Sequence, residues 1–300
     1  MESLARPSVV DLETLAALDG LLWLRTGEAA AQKLSLNQST VSRRAKQCQE
    51  LFGLACTKVE NEWDLLDEAT LLNAERRVHQ QARWRGWAPL RLEGTYWSGP
   101  LLCDPIPEGW MLGLCNIVGV PRNFSLLRLG IVDAWIGAAP DLPEADDPDL
   151  TSLPLSQVPV HCVVAPHHPL LLRDELSFDD LAPFPSLALP AGAYPKVEQA
   201  LKQVGLWSSP VRMKRYKRSL WEGKSEADLT IGYATAMSLE ICGDSLRRLP
   251  IDLPIRSGDA LIMKREFADS PQITTLRKTL LRRLEPLAAR HPEIVIEPYR

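Results

Sequence analysis

The sequence predicts an all-α N-terminal domain followed by a larger α/β unit, and three observations carry that prediction. Residues 1–66 hold apolar side chains at the three- and four-residue spacing of amphipathic helices. Beyond about residue 89 the texture changes to short apolar runs separated by Pro and Gly, with helical patterns between them. A chain of 300 residues that is 45% hydrophobic and 24% charged can bury two or three globular cores.

The N-terminal helices follow from their caps and stripes. Asp11 or Ser8 can cap a first helix whose core face is Leu12, Leu15, Leu18 and Leu22, interrupted by Gly20. Thr26 caps a short second helix through the alanines at 29–31 to Leu34, closed by Ser35 and Leu36. Asn37 is placed to cap a third, with Leu36 and Val41 in the positions of a hydrophobic staple. Val41, Ala45, Cys48 and Phe52 then make one apolar stripe, and Gln38, Ser39, Ser42, Arg43, Lys46 and Gln49 lie opposite. The pair spanning residues 26–50 has the geometry of a helix-turn-helix. After Gly53, residues 57–59 and 63–65 pair as a hairpin around Glu60-Asn61-Glu62, a wing beside the helices. Asp67 caps a longer helix to about Trp87, with a stripe of Leu71, Ala74, Val78 and Ala82 that needs a partner.

In the α/β unit, strands are expected at 90–92, 110–114, 134–136, 160–165, 187–189, 229–231 and 260–263, and helices at 125–130, 194–204 and 271–287. That alternation predicts a largely parallel sheet or sheets, with the acidic, Pro-rich stretch 140–154 as a surface loop. Residues 101–109 are too short and Pro-rich for a full helix.

Charge locates the function. The net charge of -4 excludes a uniformly basic coat, so contact with nucleic acid must be local. Residues 29–49 supply the place: no acid, but Lys33, Arg43, Arg44 and Lys46. Gln38, Ser39, Thr40, Ser42 and Arg43 offer the amide, hydroxyl and guanidinium groups that read base edges in the major groove, Gln pairing with adenine and Arg with guanine. Arg44, Lys46 and Lys58 suit phosphate, which sets register without reading sequence. The wing is an exception, because Glu60, Glu62 and Asp64 would repel DNA; residues 1–66 hold seven Lys or Arg against nine Asp or Glu.

Six cysteines without a Cys-x-x-Cys read as buried thiols, not a zinc site or disulfide framework. Cys103 and Cys115 as a redox pair, and the histidines 161, 167 and 168 as a metal site, are weaker readings than core thiols and polar loop. Arg212, Lys214, Arg215, Lys217 and Arg218 alternate as in a strand with a solvated basic edge. No apolar run approaches the roughly 20 residues of a membrane span, and the N-terminus has no secretory pattern, so the expected location is cytoplasmic.

Residues 30–43 resemble the helix-turn-helix of the LysR-type transcriptional regulator family, in the paired Ala30-Ala31 and in Gln38-Ser39-Thr40-Val41-Ser42-Arg43. Glu50-Leu51-Phe52-Gly53 is similar to that helix's exit, while Gly130, Asp133-Ala134 and Ile136, and then His168-Pro169-Leu170, extend the likeness along nearly the whole chain. The chain is identified on these motifs as an atypical member, with an acidic wing, a trimmed first lobe and Ser39 where proline is usual. The resemblance implies a winged helix-turn-helix DNA-binding domain at 1–66 and a linker or dimerisation helix at 67–88. It further implies a two-lobed α/β effector-binding domain at 89–300, like a periplasmic binding protein, with lobe one at 90–158 and 266–300 and lobe two at 160–264.

Implied partners are double-stranded DNA, a second copy in a homodimer or homotetramer, a small-molecule effector and, indirectly, RNA polymerase. No cofactor, metal, membrane or catalytic residue is expected. The loops expected to line the interlobe cleft hold Tyr96, Trp97, Ser98, Gly99, Gly119, Val120, Gly192, Ala193 and Gly232. Tyr96 and Trp97 point to an aromatic or amphipathic ligand. The acidic wing motivates the alternative of a degenerate member acting by protein or ligand binding without strong DNA recognition.

Overall fold

The computed structural model describes residues 10–66 and 69–298, the side chain at position 244 excepted. Three helices come first: α1 (Leu12–Leu24), α2 (Gly27–Leu34) and α3 (Gln38–Phe52). Asp11 caps α1 by accepting from the Thr14 amide, and Thr26 caps α2 by accepting from Ala29. Ser8 lies outside the described residues. Asn37 stands at the start of α3, but its side chain makes no capping hydrogen bond, so the helix start rests on Leu36 and Val41 in the core and on the turn before it. The α3 stripe is buried at Val41, Ala45 and Cys48; on α1, Leu15, Leu18 and Leu22 are buried while Leu12 is exposed. The wing is the hairpin of β1 (Cys56–Val59) and β2 (Glu62–Leu65), turned by Glu60 and Asn61, both at positive φ as such a two-residue turn requires.

The connecting helix α4 (Thr70–Trp84) is shorter than expected, and only Ala82 of its expected stripe is buried within the chain. Asp67, its expected cap, lies outside the described residues. Leu71 and Val78 of the expected stripe are 73% and 61% exposed, whereas the polar face with Arg76, His79, Gln80 and Arg83 is buried. The reason is pairing: Arg83 binds Asp133 through Nε at 2.7 Å, and Arg76 binds Asp19 at 2.9 Å, so the charged face is the one that meets complementary groups.

Lobe one is a five-stranded sheet ordered β4-β3-β5-β12-β6, from β3 (Leu90–Glu93), β4 (Trp110–Leu112), β5 (Ala134–Ala138), β6 (Leu150–Pro154) and β12 (Asp259–Lys264). The short α5 (Ser98–Leu102) and α6 (Val120–Arg128) join its parallel strands, and α11 (Pro271–Arg290) lays Ile273, Leu276, Leu280 and Leu284 on it. In lobe two, β7 (Ser156–Val164) pairs antiparallel with β10 (Gly232–Ala234), β11 (Arg247–Ser257) and β13 (Val295–Ile296). A small parallel pair, β8 (Leu187–Ala188) with β9 (Ser209–Pro210), completes it with α7 (Phe178–Leu181), α8 (Pro195–Gln203), α9 (Glu222–Ala227) and α10 (Ala236–Cys242).

Several expectations are corrected. The main sheets are not largely parallel: that of lobe one is mixed and that of lobe two antiparallel, because the two crossover stretches 150–164 and 247–264 run through both lobes in opposite directions and pair antiparallel in each. Residues 150–154 are an edge strand, not loop, a position that tolerates Pro154. The strand expected at 229–231 begins at Gly232, with Ile231 making only one bridge to Ser186. Helix α6 begins at Val120, five residues earlier than expected.

The N-terminal domain does not stand apart. Trp23, Leu22, Ala30 and Val41 share one core with Val120, Leu126, Ile131 and Trp135 of lobe one. No helix among the described residues is long and apolar enough to cross a membrane, and none of their side chains cluster as a metal site.

Candidate DNA interface and effector cavity

The structure places Gln38, Ser39, Ser42, Arg43 and Lys46 on one exposed face of α3, with Thr40 half-buried at its edge. The methylene of Gln38 packs against Gly27 of α2. The cations differ in their commitments: Arg44 is ion-paired with Glu13, Lys46 reaches Glu50 at 3.6 Å, and Lys58 lies 4.8 Å over the Trp63 ring. Arg43 has no ion-pair partner among the described residues, which leaves its guanidinium available for a base edge.

The acidic wing and the basic segment 212–218, separate oddities in the sequence, meet. Arg215 grips Glu62 with Nε at 2.8 Å and Nη2 at 2.6 Å, and also donates to the Trp23 carbonyl and to Asn116 Oδ1. Lys214 pairs with Glu60 and holds that carboxyl below its usual value. The segment is therefore no strand and its basic residues divide: Arg215 is 5% exposed and makes a single bridge to Ile117, while Arg212, Lys214, Lys217 and Arg218 are exposed, as a solvated surface requires. Arg122 adds donations to the carbonyls of Leu22 and Trp63 at 2.7 and 2.9 Å.

Two buried carboxylates complete the seam. Glu93 of β3 accepts from the Trp23 indole at 2.6 Å and from the Cys115 amide at 2.7 Å, and burial pushes its value up. Asp19 of α1 binds Arg76 and Arg91; burial and then Arg83 pull Arg91 down to about 10. Sequence reasoning did not single out these residues. The one available signal was Asp19 itself, four residues after Leu15 and one after Leu18, on a face that must be buried.

Between the lobes lies a cavity of about 150 Å³. Tyr96 from lobe one stacks on Tyr216 from lobe two, centroids 3.7 Å apart and planes within 2°. The Tyr216 hydroxyl donates to the buried Glu222 at 2.7 Å, and the Trp97 indole donates to Asp259 at 3.0 Å. Burial raises Asp259 to about 7, and burial with the Glu222 charge holds Tyr96 well above its ordinary value.

The expected cleft residues divide. Tyr96 and Trp97 line the cavity. Ser98 is buried behind it, its Oγ accepting from the Thr95 amide, and Gly99 packs on Cys115. Gly119, Gly192 and Ala193 lie instead in a second groove of about 410 Å³, against Glu62 and Trp63 of the wing. They are drawn there because Val120 donates to the Ala193 carbonyl at 2.8 Å and Ala193 packs closely on Gly119, where its Cα would stand 3.2 Å from an added Cβ. Gly232 pairs with Val163 inside the sheet and packs on Ser225, away from the opening. Trp207, Met213, Trp221 and Tyr233 line the cavity without having been foreseen, since only the return of distant segments assembles them.

The two thiols of the redox reading, Cys103 and Cys115, are both buried and free, and burial pushes Cys103 up to about 12 and raises Cys115 further. Such thiols are poor nucleophiles.

The family model of the LysR substrate binding domain matches residues 119–215. A full-length OxyR variant from Pseudomonas aeruginosa superposes with a TM-score of 0.58 at 17% identity, covering 97% of this chain and 98% of that one. A full-length BenM mutant gives 0.53 at 17% identity, with 97% and 100% covered. Full-length CbnR complexed with its target DNA gives 0.52 at 15%, with 92% and 100% covered. No curated protein matches by sequence. The fold is thus that of full-length LysR-type regulators, a helical N-terminal domain joined to a periplasmic-binding-protein-like effector domain.

Proposed function

We propose that this chain is a LysR-type transcriptional regulator that reads double-stranded DNA with α3 and is controlled by a small molecule in the interlobe cavity. The observation that carries the reading is the exposed face of α3, where Gln38, Ser39, Ser42 and Arg43 stand outward from a winged helix-turn-helix in a stretch without acidic residues. The neighbours' fold supports it, one of them being complexed with its target DNA. Control by the cavity is supported by Met213 and Tyr216, which line it while the intervening Lys214 and Arg215 hold the wing. A ligand that moves this segment acts on both ends at once.

A second copy pairs through the exposed stripe of Leu71 and Val78 on α4, giving the homodimer or homotetramer that a palindromic operator requires. Such a regulator works in the cytoplasm, contacts RNA polymerase only indirectly and carries no catalytic step. Genome-wide footprinting of the tagged protein identifies the operator. On it, Arg43→Ala is expected to weaken binding about tenfold or more, for the loss of one base contact. Unchanged binding in a gel-shift titration would refute the assignment of α3. It would favour the reading that the docked acidic wing motivates, a degenerate member acting through protein or ligand contacts.

A further inference from the structure

We propose that the interlobe cavity is a binding site for a small organic cation bearing a quaternary ammonium group, held by an aromatic cage. This rests on the reading of the cavity as the effector site and names its ligand class.

Four observations converge. The walls are aromatic from both lobes: Tyr96 and Trp97 from one side, Trp207, Tyr216, Trp221 and Tyr233 from the other. Aromatic faces attract cations through the ring quadrupole, and a weakly hydrated ammonium gains most. Two buried carboxylates back this cage. Glu222 accepts from the Tyr216 hydroxyl, and Asp259 accepts from the Trp97 indole with its second oxygen unpartnered among the described residues. Each hydrogen bond pushes electron density into the donating ring and deepens its negative face.

No lysine or arginine among the described residues lines the cavity. Arg215, whose neighbours do line it, is turned to Glu62, the Trp23 carbonyl and Asn116. An anion entering there would meet the Glu222 carboxylate and no counter-charge. Finally, the walls are mostly apolar, with Thr95, Asn116, Thr235, Ser238 and Ser257 as the polar exceptions, so a methylated nitrogen, which needs no acceptor, suits them better than a primary ammonium with three N–H groups to satisfy. At about 150 Å³ the cavity matches a small molecule of benzene or choline size.

The test uses the full chain, choline, and the uncharged isostere of choline in which a quaternary carbon replaces nitrogen. Binding is read by quenching of tryptophan fluorescence and by calorimetry, without DNA. Choline is expected to saturate and to bind about tenfold more tightly than the isostere, the discrimination that a desolvated cation–π contact supplies. Glu222→Gln keeps the acceptor for Tyr216 but removes the charge; it is expected to weaken choline about tenfold and leave the isostere unchanged. An isostere that binds as tightly as choline, or a wild-type chain with no saturable response to choline, overturns the proposal whatever the variant does. A separate gel shift on the footprinted operator tests the other reading: choline that saturates without altering DNA binding leaves the cation site standing and removes its role as effector site.

Discussion

At the residue scale the most consequential groups are buried acids. Asp19 sits between the guanidinium groups of Arg76 and Arg91 in the seam joining the N-terminal domain to lobe one, at 2.9 and 3.3 Å. Removing it strands both cations, so Asp19→Ala is expected to destabilise the chain by about 3–5 kcal/mol in urea unfolding. Asp259 works in the opposite sense. Its folded value is raised from 3.8 to about 7 by burial, so the stability it contributes is complete below about pH 4 and is lost as pH rises through 7. Asp259→Asn keeps an acceptor for Trp97 and removes that loss. Its Tm is expected to match wild type at pH 4 and exceed it by on the order of 5 °C at pH 8; equal melting curves across the range would show that Asp259 ionises freely in the fold.

At the element scale the wing departs most from its expected role. In sequence its carboxylates look like a defect in a DNA-contacting hairpin. In the structure Glu62 is bonded twice by Arg215, and Glu60 by Lys214. Loss of this clamp should free β1 and β2 without unfolding the lobes. In Arg215→Met, amide exchange in 56–65 and 213–216 is expected to accelerate tenfold or more, while α11 stays protected. Acceleration spread evenly over the chain would instead mean that Arg215 supports the global fold. The same residues show what sequence reading could not reach. The alternation of Arg212 to Arg218 suggested a solvated strand, but the partner of Arg215 lies 153 positions away.

At the scale of the whole molecule, α4 is the helix through which copies are proposed to meet. Its charged face is spent inside the chain on Asp19 and Asp133, and Leu71, Val78 and the following Trp87 are left exposed. Periodicity identified these apolar positions, yet it assigned the stripe to a helix standing alone, because it cannot weigh a buried charge pair against apolar burial. Val78→Lys is expected to shift the chain toward monomer in sedimentation velocity and to lower operator affinity, with Tm nearly unchanged since the side chain is 61% exposed. An unchanged sedimentation coefficient would move the interface elsewhere.

The sequence by itself determined the local structures: the caps at Asp11 and Thr26, the stripe of Val41, Ala45 and Cys48, the polar outer face of α3, the hairpin at Glu60-Asn61, and most strands of the two-lobed unit. These follow from spacing and turn chemistry within a few residues. Only the tertiary structure decided the strand directions in the crossover sheets, the division of the expected cleft residues between two hollows, and the pairing of an acidic wing with a basic segment far along the chain. Those depend on which distant groups arrive together. A buried charge is stable only beside its counter-charge, and local pattern carries no record of where that counter-charge comes from.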